Sequence, residues 1–402
     1  MAATTAAAPA RASRAVLVLL GLLVIVSLAG RVGRLDRPAS LMFDEVYYVN
    51  AARVILDAPR PADNPWAWHR PAIDPNVEHP PGGKLLLAAS IRLLGDNPWG
   101  WRLPGALLGT AAILLLYVLA RRAGALPGVA LLAAFAFACD DLAFVHGRVA
   151  TLDGPQVALM LAGLWAYLAG RPVLAGLGLV AAALVKIAGL YGLAALVALE
   201  ALRWWRARPT PGAWRPGALR PLLLTTAAFV VGYPLALGAL DLGWGVFKNP
   251  LEHLSYVWSY GYTLTNTSGS AAATSAPWQW LLNRVPMLYH HEGGATVRAA
   301  MNPLVVYATV PALAWAVIAA RRRTDDVPLV VLALFAACYL PYSLAAAAGR
   351  LSYIYYFLPA LPAVALGAAH LASATRTRLL PWLYAAAVLG GFAWRFPYRG
   401  GP

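Results

Sequence analysis

The chain has 402 residues, of which 60% are hydrophobic and 12% charged, and it carries a formal net charge of +15. That composition excludes an ordinary soluble domain, and apolar runs near twenty residues recur along the whole length. The excess positive charge lies in short loops between those runs, where it sets topology and meets anionic lipid headgroups, so it does not point to nucleic acid.

In chain order, Arg11 and Arg14 precede the apolar run 16–28 without a cleavage region distinct from a membrane anchor. This reads as a retained first span rather than a removed signal peptide. Apolar segments near 15–33, 101–120, 127–145, 154–170, 172–185, 187–203, 219–240, 301–320, 327–347, 352–372 and 379–394 predict an all-α polytopic membrane protein. The count is about eleven transmembrane helices. The stretch 172–203 is too long for one span at ~1.5 Å rise per residue against ~30 Å of hydrocarbon. The break is placed at Lys186, because a lysine sits better at an interface than in mid-bilayer. Cys139 and Cys338 both fall inside apolar runs and supply no disulfide framework.

Basic residues test this layout. With the N-terminus inside, cytoplasmic loops hold Arg121, Arg122, Arg171, Arg203, Arg206, Arg208, Arg215, Arg220, Arg321, Arg322, Arg323, Arg376 and Arg378, with few acids. The opposite side holds loop 34–100, turn 140–153, loop 241–300 and Arg350. The layout requires Lys84–Leu94, about eleven residues, to lie on the outer surface as a helix. The segment from Asp44 to Leu56 reads as a second surface helix. Residues 1–205 form an N-terminal module, 206–220 a basic cytoplasmic linker, and 221–402 a C-terminal module. The sequon Asn266-Thr267-Ser268 is a chance-level match.

The polar residues gather on the outer side. Asp44 and Glu45 open the first surface helix, where an acid is also favoured by the helix dipole alone. Two adjacent acids cannot point the same way on a helix, so one faces the membrane cavity and one supports it. Asp44 is the preferred general base for an acceptor hydroxyl. Glu78-His79-Pro80-Pro81 makes a rigid non-helical bend, and Lys84 follows it at a helix start. Glu78 joins Asp44 as a candidate pair for magnesium or manganese, which favour carboxylates. Arg148 offers a bidentate phosphate clamp that Asp153 could orient. An interfacial turn with an Arg148–Asp153 ion pair accounts for them equally well. Lys186 either snorkels or meets an anion. Arg350 opens Arg350-Leu-Ser-Tyr-Ile-Tyr-Tyr-Phe357 as either an interfacial anchor or a phosphate contact. Trp280 reads as a membrane-belt residue. His290 and His291 diverge on a helix and are not metal ligands.

The order FDE-x-x-Y, HPP-x-GK, GDNP-x-GWRLP, VHGR-x-x-x-LD, a lysine-bearing helix, S-x-PW-x-W, NP and R-x-x-Y-x-YY resembles the protein O-mannosyltransferase family. That family belongs to the C-type (GT-C) glycosyltransferases of lipid-linked sugars. The likeness runs from about residue 40 to residue 362. It implies a GT-C fold with surface helices in the first outer loop, and Asp44 as the acid of the family's Asp-Glu pair. Glu78, His79, Arg148, Asp153 and Arg350 occupy its other recurring polar positions. Gly82 departs from the family's HPPLGK, and loop 241–300 has no room for the extra soluble domain of eukaryotic members.

The implied activity is an inverting hexosyl transfer of mannose from a polyprenyl-phosphate-linked sugar to Ser/Thr-rich exported proteins. Catalysis would fall to Asp44, Glu45 and Glu78, and donor contact to His79, Lys84, Arg148, Asp153, Lys186 and Arg350. The expected setting is the plasma membrane, with the site on its extracytoplasmic face and membrane lipids as neighbours. Rival expectations are the same chemistry on a lipid or cell-wall glycan, and a non-enzymatic transporter of lipid-linked sugar. The transporter would need an intramembrane polar pathway, whereas the acids here sit at the surface.

Overall fold

The computed structural model describes residues 11–208, 216–263, 273–292, 295–374 and 377–399. Helix α1 (Arg14–Val32) starts where the Ser13 hydroxyl accepts from the Val16 N–H, and it ends at Gly33. Leu17, Val18, Leu22, Ile25 and Val26 are exposed along it, an arrangement suited to lipid and not to water. The chain then stays at one end of the bundle through α2 (Glu45–Ile55) and α3 (Gly82–Leu94), the two predicted surface helices. Asn97 starts α4 (Pro98–Ala123) by accepting from the Trp99 and Gly100 N–H groups, and Pro98 presets the first helical φ. Gly124 closes α4 in the left-handed region, at φ +106°.

Short elements follow: α5 (Pro127–Ala138), α6 (Asp141–His146), α7 (Asp153–Leu168) and α8 (Pro172–Val185). Small residues let α7 and α8 touch backbone to backbone, for a Cβ on Gly178 would lie 3.0 Å from the Gly163 Cα. The helix breaks at Lys186, as the sequence predicts, and resumes through a 3-10 turn (Ile187–Leu190) into α9 (Tyr191–Ala207). Next come α10 (Arg220–Trp244) and α11 (Pro250–Thr263), the latter a helix absent from the sequence reading. They are followed by α12 (Pro277–Leu281), strands β1 (Met287–Glu292) and β2 (Ala295–Ala299), and α13 (Pro303–Val306). The chain finishes with α14 (Thr309–Arg322), α15 (Val327–Ala347), a 3-10 segment (Ile354–Ala360), α16 (Leu361–Ser373), α17 (Leu380–Arg395) and β3 (Tyr398–Arg399).

The helical membrane class stands as expected, with one small addition: β1, β2 and β3 form an antiparallel sheet in that order, with Val297 paired to both His290 and Tyr398. His290 and His291 therefore lie on a strand. Among the described residues, seven helical stretches are long and apolar enough to cross a membrane. The other four predicted segments are α5, α7, α8 and α17, of 12, 16, 14 and 16 residues. Polar residues shorten them: Asp140 follows α5, Asp153 begins α7 and Lys186 ends α8.

The bundle has two chemically distinct ends. One gathers loop 33–97, turn 139–152, the described residues 245–263, 273–292 and 295–302, Arg350 and the C-terminal strand. There Asp74 N–H donates to the Trp244 carbonyl at 2.6 Å. At the other, Asp326 joins Arg203 and Arg206, and its N–H reaches the Ala123 carbonyl at 2.9 Å. Residues 209–215 of the predicted linker 206–220, and the sequon 266–268, lie outside the described residues.

Candidate active site

Asp44 is the half-buried first residue of the α2 turn. Phe43 before it holds a left-handed φ of +51°, a strained conformation for a residue of that bulk. Packing maintains it: the Phe43 ring stacks on Tyr289 at 3.9 Å and meets Tyr355 edge-on at 5.4 Å. Asp44 makes no side-chain cap to α2, and no hydrogen bond to its carboxylate is present among the described residues. Burial pushes this carboxyl up to about 7, opposed by Lys186 and reinforced by Asp153 and Glu78.

Glu45 is in the opposite situation. It is fully buried and accepts from Arg102 Nε and Nη2, both at 2.8 Å, from Ala150 N–H at 2.9 Å and from Met42 N–H at 3.0 Å. Its oxygens are committed to joining α2, α4 and the α6–α7 turn, which leaves none for a substrate proton. The supporting role expected of one acid thus falls to Glu45.

Residues 74–84 form the facing wall. Lys84 is fully buried, 2.6 Å from Asp74 Oδ2, and it donates to the carbonyls of Asn76 and, at 2.6 Å, His79. This corrects the expectation of a donor-binding Lys84: the ammonium fastens its own loop. Asn76 Nδ2 donates to Glu78 Oε1 at 2.5 Å, and burial raises the Glu78 carboxyl. His79 is held well below the usual histidine range by burial and by Lys186, Lys84 and Arg350, and its Nδ1 has no partner among the described residues. The ring is therefore neutral, with Tyr48 at 5.8 Å.

Arg148 also departs from expectation. Its guanidinium donates to the carbonyls of Gly30 and Arg31 at 3.0 Å, of Gly33 at 2.5 Å, and of Arg34. It closes the C-terminus of α1, where those acceptors would otherwise be unsatisfied, and lies 4.6 Å from the Tyr398 ring. No phosphate fork remains, and the partner of Asp153 is Lys186 at 2.7 Å rather than Arg148. His146 is used on both sides, by Thr151 Oγ1 at 3.0 Å and Tyr289 Oη at 2.7 Å.

Two cations converge on the tyrosines after α15. Lys186 Nζ lies 5.3 Å from the Tyr355 ring and 5.7 Å from the Tyr356 ring, and the Arg350 guanidinium lies 5.7 Å from Tyr356. Only Nε of Arg350 is engaged among the described residues, by the Gly261 carbonyl. The structure thus brings Asp44, Glu78, His79, Asp153, Lys186 and Arg350 around one region, and sets Glu45, Lys84 and Arg148 to hold the chain around it. Among the described residues no group of three or more His, Cys, Asp or Glu could hold a metal ion.

Several residues escaped sequence reasoning. Asp74, Tyr289, Asp241 and His253 carried no local pattern, and Arg102 stood inside a quoted motif without a sign of its partner Glu45, 57 positions away. Asp96 receives Arg53 at 2.8 and 3.1 Å and Trp101 Nε1 at 2.6 Å, so the GDNP-x-GWRLP motif ties α2 to α4. Trp280 is wholly enclosed by Tyr339, Tyr342, Tyr356 and Phe357, with Nε1 on Ser275 Oγ at 2.9 Å, and is no belt residue.

The sequence profile of the dolichyl-phosphate-mannose-protein mannosyltransferase family matches residues 78–226. A polyprenol-phosphate-mannose–protein mannosyltransferase of Mycobacterium tuberculosis is 27% identical, with 95% of this chain and 87% of that protein covered. The S. cerevisiae protein O-mannosyltransferase Pmt1–Pmt2 complex bound to the sugar donor superposes with a TM-score of 0.75 at 13% identity, over 97% of this chain and 90% of that one. ArnT from Cupriavidus metallidurans bound to undecaprenyl phosphate gives 0.61 at 19% identity, over 92% of this chain and 61% of that one. The architecture is the GT-C fold of these membrane enzymes, and over residues 78–226 the chain is similar to the dolichyl-phosphate-mannose–protein mannosyltransferase family.

Proposed function

We propose that the chain is an inverting glycosyltransferase that moves mannose from polyprenyl-phosphate-mannose to Ser/Thr hydroxyls of exported proteins. The observation that carries this reading is the placing of Asp44: a desolvated carboxyl without a hydrogen bond, raised to about 7, within the field of Lys186. Such a group takes a proton near neutral pH. The acceptor O–H gives its proton to Asp44 as the oxygen attacks the anomeric carbon. The bond from that carbon to the phosphate oxygen breaks, and polyprenyl phosphate leaves with one further negative charge. Lys186 and Arg350, which share the Tyr356 ring, stabilise that charge. Asp153 holds Lys186 in place.

The basic clusters at the opposite end support a cytoplasmic setting for that end, and with it a site that faces outward across the plasma membrane. Asp44 and Glu78 would be the pair to hold magnesium or manganese. Chelation that abolishes turnover, with recovery on adding either ion, assigns one there; unchanged turnover leaves Asp44 acting alone.

The test is transfer of labelled mannose from polyprenyl-phosphate-mannose to a Ser/Thr-rich peptide by the purified protein. Asp44→Asn is expected to lose ~10² to 10⁴ in rate while still binding donor. Near-parental turnover by this variant together with an inactive Glu78→Gln would move the base to Glu78. Transfer to lipid but never to peptide would overturn the acceptor.

A further inference from the structure

Residues 74–79 are held from two sides. Lys84 of α3 takes the carbonyls of Asn76 and His79. Between them, the Val77 carbonyl oxygen lies 3.1 Å from Nε2 of His253, a residue of α11 that is 1% exposed. The other ring nitrogen, Nδ1, lies 2.9 and 3.1 Å from the two carboxylate oxygens of Asp241 on α10, itself buried. Phe247 stacks on the imidazole at 4.4 Å. The ring is thereby pinned at both nitrogens, between the carboxyl group of α10 and the carbonyl of the loop before α3.

We propose that His253, held at Nδ1 by Asp241, is a positioning residue that fixes the Val77 carbonyl and thereby sets Glu78 and His79 in the wall of the proposed reaction site. The charged groups that face it are Asp241 from α10, Asp74 from the loop and Lys84 from α3. Asp74 is matched by Lys84, which leaves the Asp241 carboxylate to His253. The contact spans 176 positions of sequence and ties the α10–α11 unit to the loop before α3. The assignment rests on the reading of Glu78 and His79 as parts of the reaction site.

Two measurements on the full chain in lipid nanodiscs test it. In a sample with ¹⁵N-labelled histidine rings, the His253 signals, identified by their loss in His253→Gln, should shift in Asp241→Asn, because the carboxyl group is the partner of Nδ1. Unmoved signals would overturn the proposal, and this readout needs no turnover, so it stands apart from the fate of the transferase reading. In the peptide assay, His253→Gln and Asp241→Asn should each lower kcat roughly ten- to a hundredfold, the range expected when a reacting group is misplaced. The KM for polyprenyl-phosphate-mannose should stay close to the parent's. The double variant should be no slower than the slower single one, because the two residues act as a unit. Unchanged kcat in His253→Gln, or losses that multiply in the double variant, would overturn it. Parental behaviour of the His253 and Asp241 variants with an inactive Asp44→Asn would refute the positioning role and leave the transferase intact.

Discussion

Asp44 and Glu45 are neighbours in the chain with opposite surroundings. Glu45 answers a buried guanidinium and two backbone N–H groups, while Asp44 is desolvated with only the field of Lys186 to offset it. This has a consequence for stability. An acid whose folded value of about 7 exceeds its ordinary 3.8 adds stability below the lower value and loses it as pH rises through the higher one. Ionising Asp44, as the proposed mechanism requires, therefore works against the fold. Turnover of the parent should rise between pH 6 and 8, while Asp44→Asn should melt above the parent at pH 8 and approach it at pH 5. Equal melting temperatures at both pH values would show that Asp44 is not desolvated. Glu45→Gln leaves Arg102 buried without its counter-charge and should cost ~3–5 kcal/mol, read as a drop in melting temperature far larger than any gain from Asp44→Asn. The acid pair was legible in the sequence, and so was the expectation that its two members would have different surroundings. Which partners hold Glu45 was not, because Arg102 lies 57 positions away.

At the scale of elements, the best-read feature was the break at Lys186, since a lysine inside an apolar stretch leaves few alternatives. The two surface helices were legible from length and apolar spacing. Arg148 was misread for a physical reason: its partners are backbone carbonyls of α1, which every residue type possesses, so nothing in the sequence marks them. The sheet was hidden likewise, because its strands pair through backbone groups and one of them is only two residues long. A capping role makes a different prediction from a phosphate clamp. Arg148→Lys retains the charge but cannot span the carbonyls of Gly30, Gly33 and Arg34 together. It is expected to lower stability by ~1–3 kcal/mol with the KM for donor unchanged. A normal melting curve combined with a raised KM would restore the clamp.

At the scale of the whole molecule, the two ends of the bundle are kept apart by what they bind. The proposed reaction end concentrates carboxylates, tyrosines and the two converging cations, whereas the other collects arginines around Asp325 and Asp326. Helix α1 begins at the basic end and finishes under Arg148, and the C-terminal strand lies beside β2 at the reaction end. The chain therefore enters the bundle at one end and leaves at the other, which requires an odd number of passages. The long and short helices together allow that, with α5, α7 and α8 stopping where the polar residues of the site gather. Applied to these ends, the positive-inside rule places Asp57, whose side chain is 68% exposed in the loop after α2, outside the cell. A cysteine introduced at Asp57 should react with an impermeant reagent on intact cells. One at Arg322, exposed at the end of α14, should react only after the membrane is opened. The reverse pattern would place Asp44 on the cytoplasmic side, where an acceptor already exported could not reach it, and would overturn the proposed substrate together with the topology.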